Sequence, residues 1–162
     1  MTESDFQTCV EQHADGLFRF ILKNLRHRED ARDIVQNSFE ILWRKRDEVT
    51  AAKSKSYLFT VGYHNMIDHL RKVRNISLSD EMAERGPLVP EHPAPDLSKK
   101  LESALAMLNG IQRSLILLKD YEGYSYVEIG TITGLNPSQV KVYLHRARLK
   151  MKELIGKKEN LI

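Results

Sequence analysis

The sequence predicts an all-α protein of two small helical domains joined by a proline-rich acidic linker, the C-terminal one a helix-turn-helix. Three observations lead there. Apolar residues recur at three- and four-residue spacing on both sides of the linker, and no stretch alternates as a strand would. Four of the five prolines, Pro87, Pro90, Pro93 and Pro95, fall within nine residues. Two helix-start signals flank Gly134, a residue suited to a tight turn. Each proline removes a backbone donor and biases the residue before it away from helix, so the domains are expected at 1–75 and 99–162, with the linker at 76–98.

In the first domain, Phe6, Val10, Leu17, Phe18, Ile21 and Leu25 place a helix over residues 5–25, with Gly16 as its weak point. A second helix over 29–46 carries Ala31, Ile34, Val35, Phe39, Leu42 and Trp43 as one apolar stripe. It turns Asp33, Gln36, Asn37, Glu40 and Arg44 towards the other face. Phe39 and Trp43 are expected in the core. A third helix starts near Ser54 or Ser56 and runs to about Arg74, with Leu58, Val61 and Leu70 inward. Arg71, Lys72 and Arg74 at its C-terminal end suit the helix dipole.

In the second domain, Leu101, Leu105 and Leu108 mark a helix that Asn109-Gly110 is expected to end. The next carries Leu115, Ile116 and Leu118 and stops near Gly123, a left-handed cap. Ser125 and Glu128 form a capping-box pattern for a short helix that closes at Gly134. Asn136 as N-cap, Pro137 at the first helical position and Gln139 at the third then start the last helix. Along it Val140, Leu144, Ala147, Met151 and Leu154 should face the core, while Lys141, His145, Arg148 and Lys152 form a separate polar stripe.

Charge is unevenly distributed. The net charge is +3, but residues 1–75 hold 13 Lys/Arg against 11 Asp/Glu, residues 76–98 one against five, and residues 99–162 eleven against six. From Asn136 to Lys158 there are seven cations and one acid, Glu153. A solvated helix face usually mixes signs, so this excess points to an anionic partner such as nucleic acid. The preceding short helix sharpens the reading. Ile129, Leu135, Val140 and Tyr143 are placed to lock two helices through Gly134, with Gly130 small where they cross, which is a helix-turn-helix pattern. The second helix of such a unit lies in the major groove. Ser138, Gln139, Lys141 and Val142, near its N-terminus, are the candidate base readers, and His145, Arg146, Arg148 and Lys150 the candidate backbone contacts.

Other classes find little support. His13, His27, His64, His69, His92 and His145 are scattered without ligand spacing, and there is no phosphate-binding glycine loop or nucleophile motif, so neither an enzyme, a metal site nor a cofactor is expected. Cys9 is the only cysteine, which excludes an intrachain disulfide. The start MTESDFQTCVEQH has neither the basic nor the apolar region of a secretory signal, and the longest aliphatic run, Leu115 to Leu118, is far too short to span a membrane. A cytoplasmic protein without membrane insertion is expected.

The chain resembles a bacterial RNA polymerase sigma factor of the small, two-domain extracytoplasmic-function (ECF) type, a branch of the sigma-70 family. DARDIVQNSFEILW, from Asp30 to Trp43, is similar to the signature helix of the family's first domain. Leu58, Asn65, Asp68 and Arg71 match its next segment. ALAMLNGIQRSLILLKDYEGYSYVEIG followed by GLNPSQVKVYLHRAR matches the promoter-reading helix-turn-helix, so the resemblance covers about residues 5–155. It implies a protein that directs core polymerase to promoters and helps open them, without catalysis of its own. It further implies that Asp33, Gln36, Asn37 and Glu40 dock on the beta-prime clamp helices. Lys53, Ser54, Lys55, Ser56, Asn65, Asp68, Arg71, Lys72 and Arg74 would serve the minus-ten element, and the last helix the minus-thirty-five element. The second domain would touch the beta flap, and an anti-sigma factor is an implied partner.

One stretch departs from the family. DEVTAAKSKSYL, ahead of the third helix, has no glycine and carries Tyr57 where relatives hold a tryptophan, so the flipped minus-ten base is not read from it. Its lysines and serines still suit single-stranded DNA. Asn65 and Asp68 also fit as internal hydrogen-bonding groups of a bundle. Two rivals remain at this point: a helix-turn-helix regulator with an N-terminal sensing domain, and a helical adaptor that binds only proteins. The adaptor predicts little salt dependence of DNA affinity, whereas seven phosphate contacts would give a log-log slope near ~6.

Overall fold

A computed structural model describes residues 1–77 and 96–159. They are helical apart from short connections and belong to two compact units. The first is built on α1 (Glu3–Leu25), α2 (Arg28–Arg44) and α3 (Ser54–Ser77), with a 3-10 turn at Ala51–Lys53. The second is built on α4 (Asp96–Met107), α5 (Gly110–Ile116), α6 (Tyr126–Thr133) and α7 (Pro137–Glu159). The proline-spaced segment 78–95 lies outside the described residues. Among the described residues no helix is long and apolar enough to cross a membrane.

In the first unit, α1 opens on a reciprocal cap: the Thr2 hydroxyl accepts from the Asp5 amide, and the Asp5 carboxylate accepts from the Thr2 amide. Gly16 does not interrupt it, because Leu17, Phe20 and Ile21 are buried on either side of the next turn. Cys9 and Phe20 join the core, while Phe6, Val10 and Phe18 stay half-exposed, so the buried stripe is rotated slightly from the expected one. α2 buries Ala31, Ile34, Ser38 and Leu42, and α3 buries Leu58, Phe59, Tyr63 and Met66. Val61 and Leu70, expected inward, are half-buried.

Small and polar residues stand where these helices approach. A Cβ added to Gly62 would lie 2.8 Å from Leu17 Cδ1. Beside it the buried Ser38 hydroxyl donates to the Ile34 carbonyl at 2.7 Å and accepts from Asn65 Nδ2 at 3.4 Å, tying α2 to α3.

In the second unit α4 stops at Met107, just before the expected Asn109-Gly110, and Asn109 in addition starts α5, its side-chain oxygen accepting from the Gln112 amide at 2.8 Å. Asn-Gly serves as a stop or a start, and here the N-cap bond decides. Arg113 closes the corner by donating to the carbonyls of Leu105 (2.9 Å) and Leu108 (2.8 Å). α5 continues as a π-helical turn over Leu117–Tyr121 and ends before Gly123, whose φ is 76°. Ser125 caps α6, accepting from the Glu128 amide at 3.2 Å and donating to the Glu128 carboxylate at 3.1 Å.

Between α6 and α7 the chain reverses at Gly134, φ 82°, in the left-handed region open to glycine. Ile129 and Val140 are fully buried, Leu135 and Tyr143 partly so. A Cβ at Gly130 would sit 2.7 Å from the Leu135 carbonyl oxygen. Gly130→Ala should therefore destabilise the protein by about 1–3 kcal/mol, the usual cost of overpacking. Gly62→Ala crowds the end of the Leu17 side chain rather than backbone, so its cost should be smaller, and the helix propensity gained, about 1 kcal/mol, offsets part of the crowding. Urea unfolding followed by circular dichroism checks the pair; equal losses would contradict the distinction between backbone and side-chain crowding.

Candidate nucleic-acid interface

α7 starts with the full reciprocal cap: the Asn136 side-chain oxygen accepts from the Gln139 amide at 2.8 Å, and the Gln139 side-chain oxygen accepts from the Asn136 amide at 3.0 Å. Pro137 occupies the first helical position, where no donor is needed. Val140, Leu144, Ala147, Met151 and Leu154 are all buried, which fixes the helix rotation. Ser138, Lys141, Val142, His145, Arg146, Arg148 and Lys150 are consequently exposed. Val142 is 47% exposed, an apolar side chain at the centre of a polar face.

Two members of this set are less available than the sequence implies. Gln139 is exposed, but its side-chain oxygen already accepts the helix-cap bond, so its amide nitrogen is the group freest to meet a base. Arg148, expected on the DNA backbone, donates from Nε and Nη2 to the Asp120 carboxylate at 3.2 and 2.5 Å. That hydrogen bond holds the guanidinium proton more firmly than usual. Arg148 is thus paired at the surface with Asp120, on the π-helical turn after α5. The remaining cations are less encumbered. Arg146 lies 6.0 Å from the Tyr143 ring centroid, and Lys150 is 3.9 Å from Glu153, an exposed pair worth little.

In the first unit, Asp33, Gln36, Asn37 and Glu40 are exposed along one side of α2. Phe39 and Trp43 are not core residues as expected. Both are half-buried, packed edge-on against Phe6 with ring centroids 6.2 and 4.9 Å away. With Val10, Gln36, Glu40 and Arg44 they line an open apolar groove flush with the polar face. The α2 stripe is wider than one core face can cover, and its excess forms this groove.

The segment before α3 is held from within. Arg46 lies over the Trp43 ring at 4.0 Å and donates to the Trp43 carbonyl at 2.8 Å. Val49 is buried. Ser54 is 5% exposed, its hydroxyl donating to the Ala51 carbonyl at 2.7 Å, so it belongs to the fold and is removed from the DNA-contacting set. Lys53 is exposed; Lys55, Ser56 and Tyr57 are half-buried. Lys55 stands near His13, whose charged form is disfavoured first by burial and then by that lysine.

Asn65 takes the internal role that the sequence also allowed, its amide donating to the Ser38 hydroxyl inside the bundle. Asp68, Arg71 and Lys72 are exposed on α3, and Arg74 lies on the same helix beyond the side chains described. One contact was not foreseen: His69 Nε2 lies 3.0 Å from Asp30 Oδ2, joining α3 to the first turn of α2. His27 caps that turn, its Nδ1 accepting from the Asp30 amide at 3.2 Å. Histidine is not a favoured N-cap, so no sequence signal marks this corner. Among the described residues, no group of three or more His, Cys, Asp or Glu could hold a metal ion.

Both units are similar to known proteins. The Sigma-70 region 2 family matches residues 9–76 and the Sigma-70, region 4 family residues 98–151. RNA polymerase sigma factor SigV of Bacillus subtilis is 30% identical over 99% of this chain and 96% of its own. The ECF RNA polymerase sigma factor SigL of Mycobacterium tuberculosis is 31% identical over 91% and 89%. Among solved structures, the sigma factor RpoE in complex with the anti-sigma factor NepR, from Bartonella quintana, superposes with a TM-score of 0.81. It is 28% identical, covering 94% of this chain and 98% of that one. The chain belongs to the sigma-70 family of RNA polymerase sigma factors, in its extracytoplasmic-function branch, and acts on core polymerase and promoter DNA by binding rather than by catalysis.

Proposed function

We propose that the sigma activity is divided between the two units, 1–75 and 99–162, with named surfaces for each task. The exposed row Asp33, Gln36, Asn37 and Glu40 on α2 docks core polymerase, on the beta-prime clamp helices, and the groove of Phe6, Phe39 and Trp43 extends that footprint. Lys53, Lys55 and Ser56 track the single strand at the minus-ten element, with Asp68, Arg71, Lys72 and Arg74 on the adjoining duplex. Ser138, Lys141 and Val142 read base edges of the minus-thirty-five element, helped by the Gln139 amide, and His145, Arg146 and Lys150 hold phosphates. The second unit touches the beta flap. The protein works in the cytoplasm, and an anti-sigma factor binds it, as the solved relative is bound in its complex with the anti-sigma factor NepR.

The observation that supports this reading most is α7 itself. Its core side chains are buried and its start is reciprocally capped, yet its outer face carries cations and an exposed Val142 that the fold does not require. A lysine near the start of a groove-lying helix selects guanine edges, and an exposed valine suits a thymine methyl. In vitro transcription from a genomic promoter library, with cognate core polymerase and with or without this protein, tests the whole reading. New start sites are expected only when it is added, and none would refute it.

On the same library, Lys141→Ala should change which promoters are used, with a discrimination loss of about 1–3 kcal/mol at one base position. Uniform weakening across all promoters would place Lys141 on the backbone instead. Asp33→Ala with Gln36→Ala should reduce affinity for core polymerase at least tenfold while leaving the thermal unfolding temperature within a few degrees of wild type, since both side chains are exposed. Co-migration with core polymerase in a titrated gel shift measures it, and wild-type affinity would remove α2 from the docking surface.

A further inference from the structure

We propose that Asp120 sets the strength of DNA binding by withholding Arg148 from the phosphate backbone, a role that rests on α7 being the DNA-reading helix. On a helix turning about 100° per residue, Lys141, Arg148 and Lys152 fall in one row within about 40°, spread over about 16 Å of helix. All three are exposed. The middle one is clamped. Asp120 takes two charge-assisted hydrogen bonds from it, at 3.2 and 2.5 Å, in the fork geometry that a phosphate would otherwise occupy.

A phosphate reaching Arg148 must displace that carboxylate or lie beside its charge. Either way the contact is weakened. Phosphate contacts carry no sequence information, so the loss falls on every DNA sequence alike and leaves the base readers at the start of α7 untouched. Asp120 therefore lowers promoter and non-promoter binding by the same factor and leaves discrimination between them to the base readers, and it acts as a positioning residue through Arg148. The side chains are 37% and 45% exposed, open enough for the pair to exchange with a competing anion.

The test uses the full chain and a fluorescent duplex lacking a promoter, with anisotropy read over a potassium chloride series. Asp120→Asn should bind several-fold tighter at low salt, and the log-log salt slope should steepen by about 0.9, one added phosphate contact. In Asp120→Asn with Arg148→Gln the gain should vanish. A pair that merely struts the fold would not move the slope. Unchanged or weaker binding by Asp120→Asn overturns the proposal, as does a gain that survives Arg148→Gln. Should Asp120→Asn fail to fold, Arg148→Gln alone decides: a wild-type slope supports a withheld cation, and a slope shallower by about 0.9 overturns it. Wild-type protein that shows no salt-dependent duplex binding refutes the reading of α7 and this proposal with it. Salt-dependent binding with no Asp120 effect refutes the proposal alone.

Discussion

What the second unit can present to DNA depends on how close the Leu135 carbonyl comes to Gly130. With 2.7 Å between that oxygen and the position of a Cβ, only a residue without a side chain lets the turn fold back on α6. The reversal at Gly134, in left-handed backbone, aims the chain, and the Asn136–Gln139 cap begins a new helix within two residues of it. The buried stripe from Val140 to Leu154 then fixes the rotation. Each step constrains the next, so the outward set Ser138, Lys141 and Val142 follows from packing rather than from any preference of those residues.

The first unit meets an equivalent demand by different means. Its helices meet at Gly62 and at the Ser38–Asn65 pair, where polar groups are satisfied inside the bundle and need no water. His69 and Asp30 fasten the far end of α3 to the start of α2. The internal bonds leave the outer side of α2 with no structural task, and a polar row beside an apolar groove is the usual composition of an interface between folded proteins. On the proposed division of tasks, affinity for a protein and affinity for a polyanion are carried by surfaces of different chemistry. The groove is apolar with mixed charge at its rim, and α7 is basic with one acid, Glu153, between Asn136 and Lys158.

The helices and caps were legible in the sequence because each depends on residues a few positions apart. All five core residues assigned to α7, the Gly130 crossing and both capping residues at Asn136 and Gln139 follow from local spacing. The contacts that were not legible share a physical cause. Arg148 pairs with a residue 28 positions earlier, Asn65 bonds to one 27 positions earlier, and Ser54 is buried by the turn before it, none of which periodicity encodes. Phe39 and Trp43 look like core because an apolar stripe does not state how much of itself a three-helix unit can cover. Asn109-Gly110 was ambiguous for another reason, since the same dipeptide chemistry stops one helix and starts another.

A weakened DNA surface fits a protein that works as part of a larger machine. When two modest binding surfaces are carried on one body, the second binding event is governed by effective concentration, and the joined affinity exceeds either alone. Strong phosphate binding by α7 in the free chain would hold it on the great excess of non-promoter DNA, because that term is independent of sequence. Cancelling one cation of the row reduces that loss without touching the readers. On the proposed division of surfaces, discrimination comes from Ser138, Lys141 and Val142, and occupancy comes from polymerase bound through α2. The uneven charge of α7 and the clamp at Asp120 are in this sense complementary. The helix is basic enough to be drawn to a duplex, and restrained enough that attraction alone does not decide where it stays.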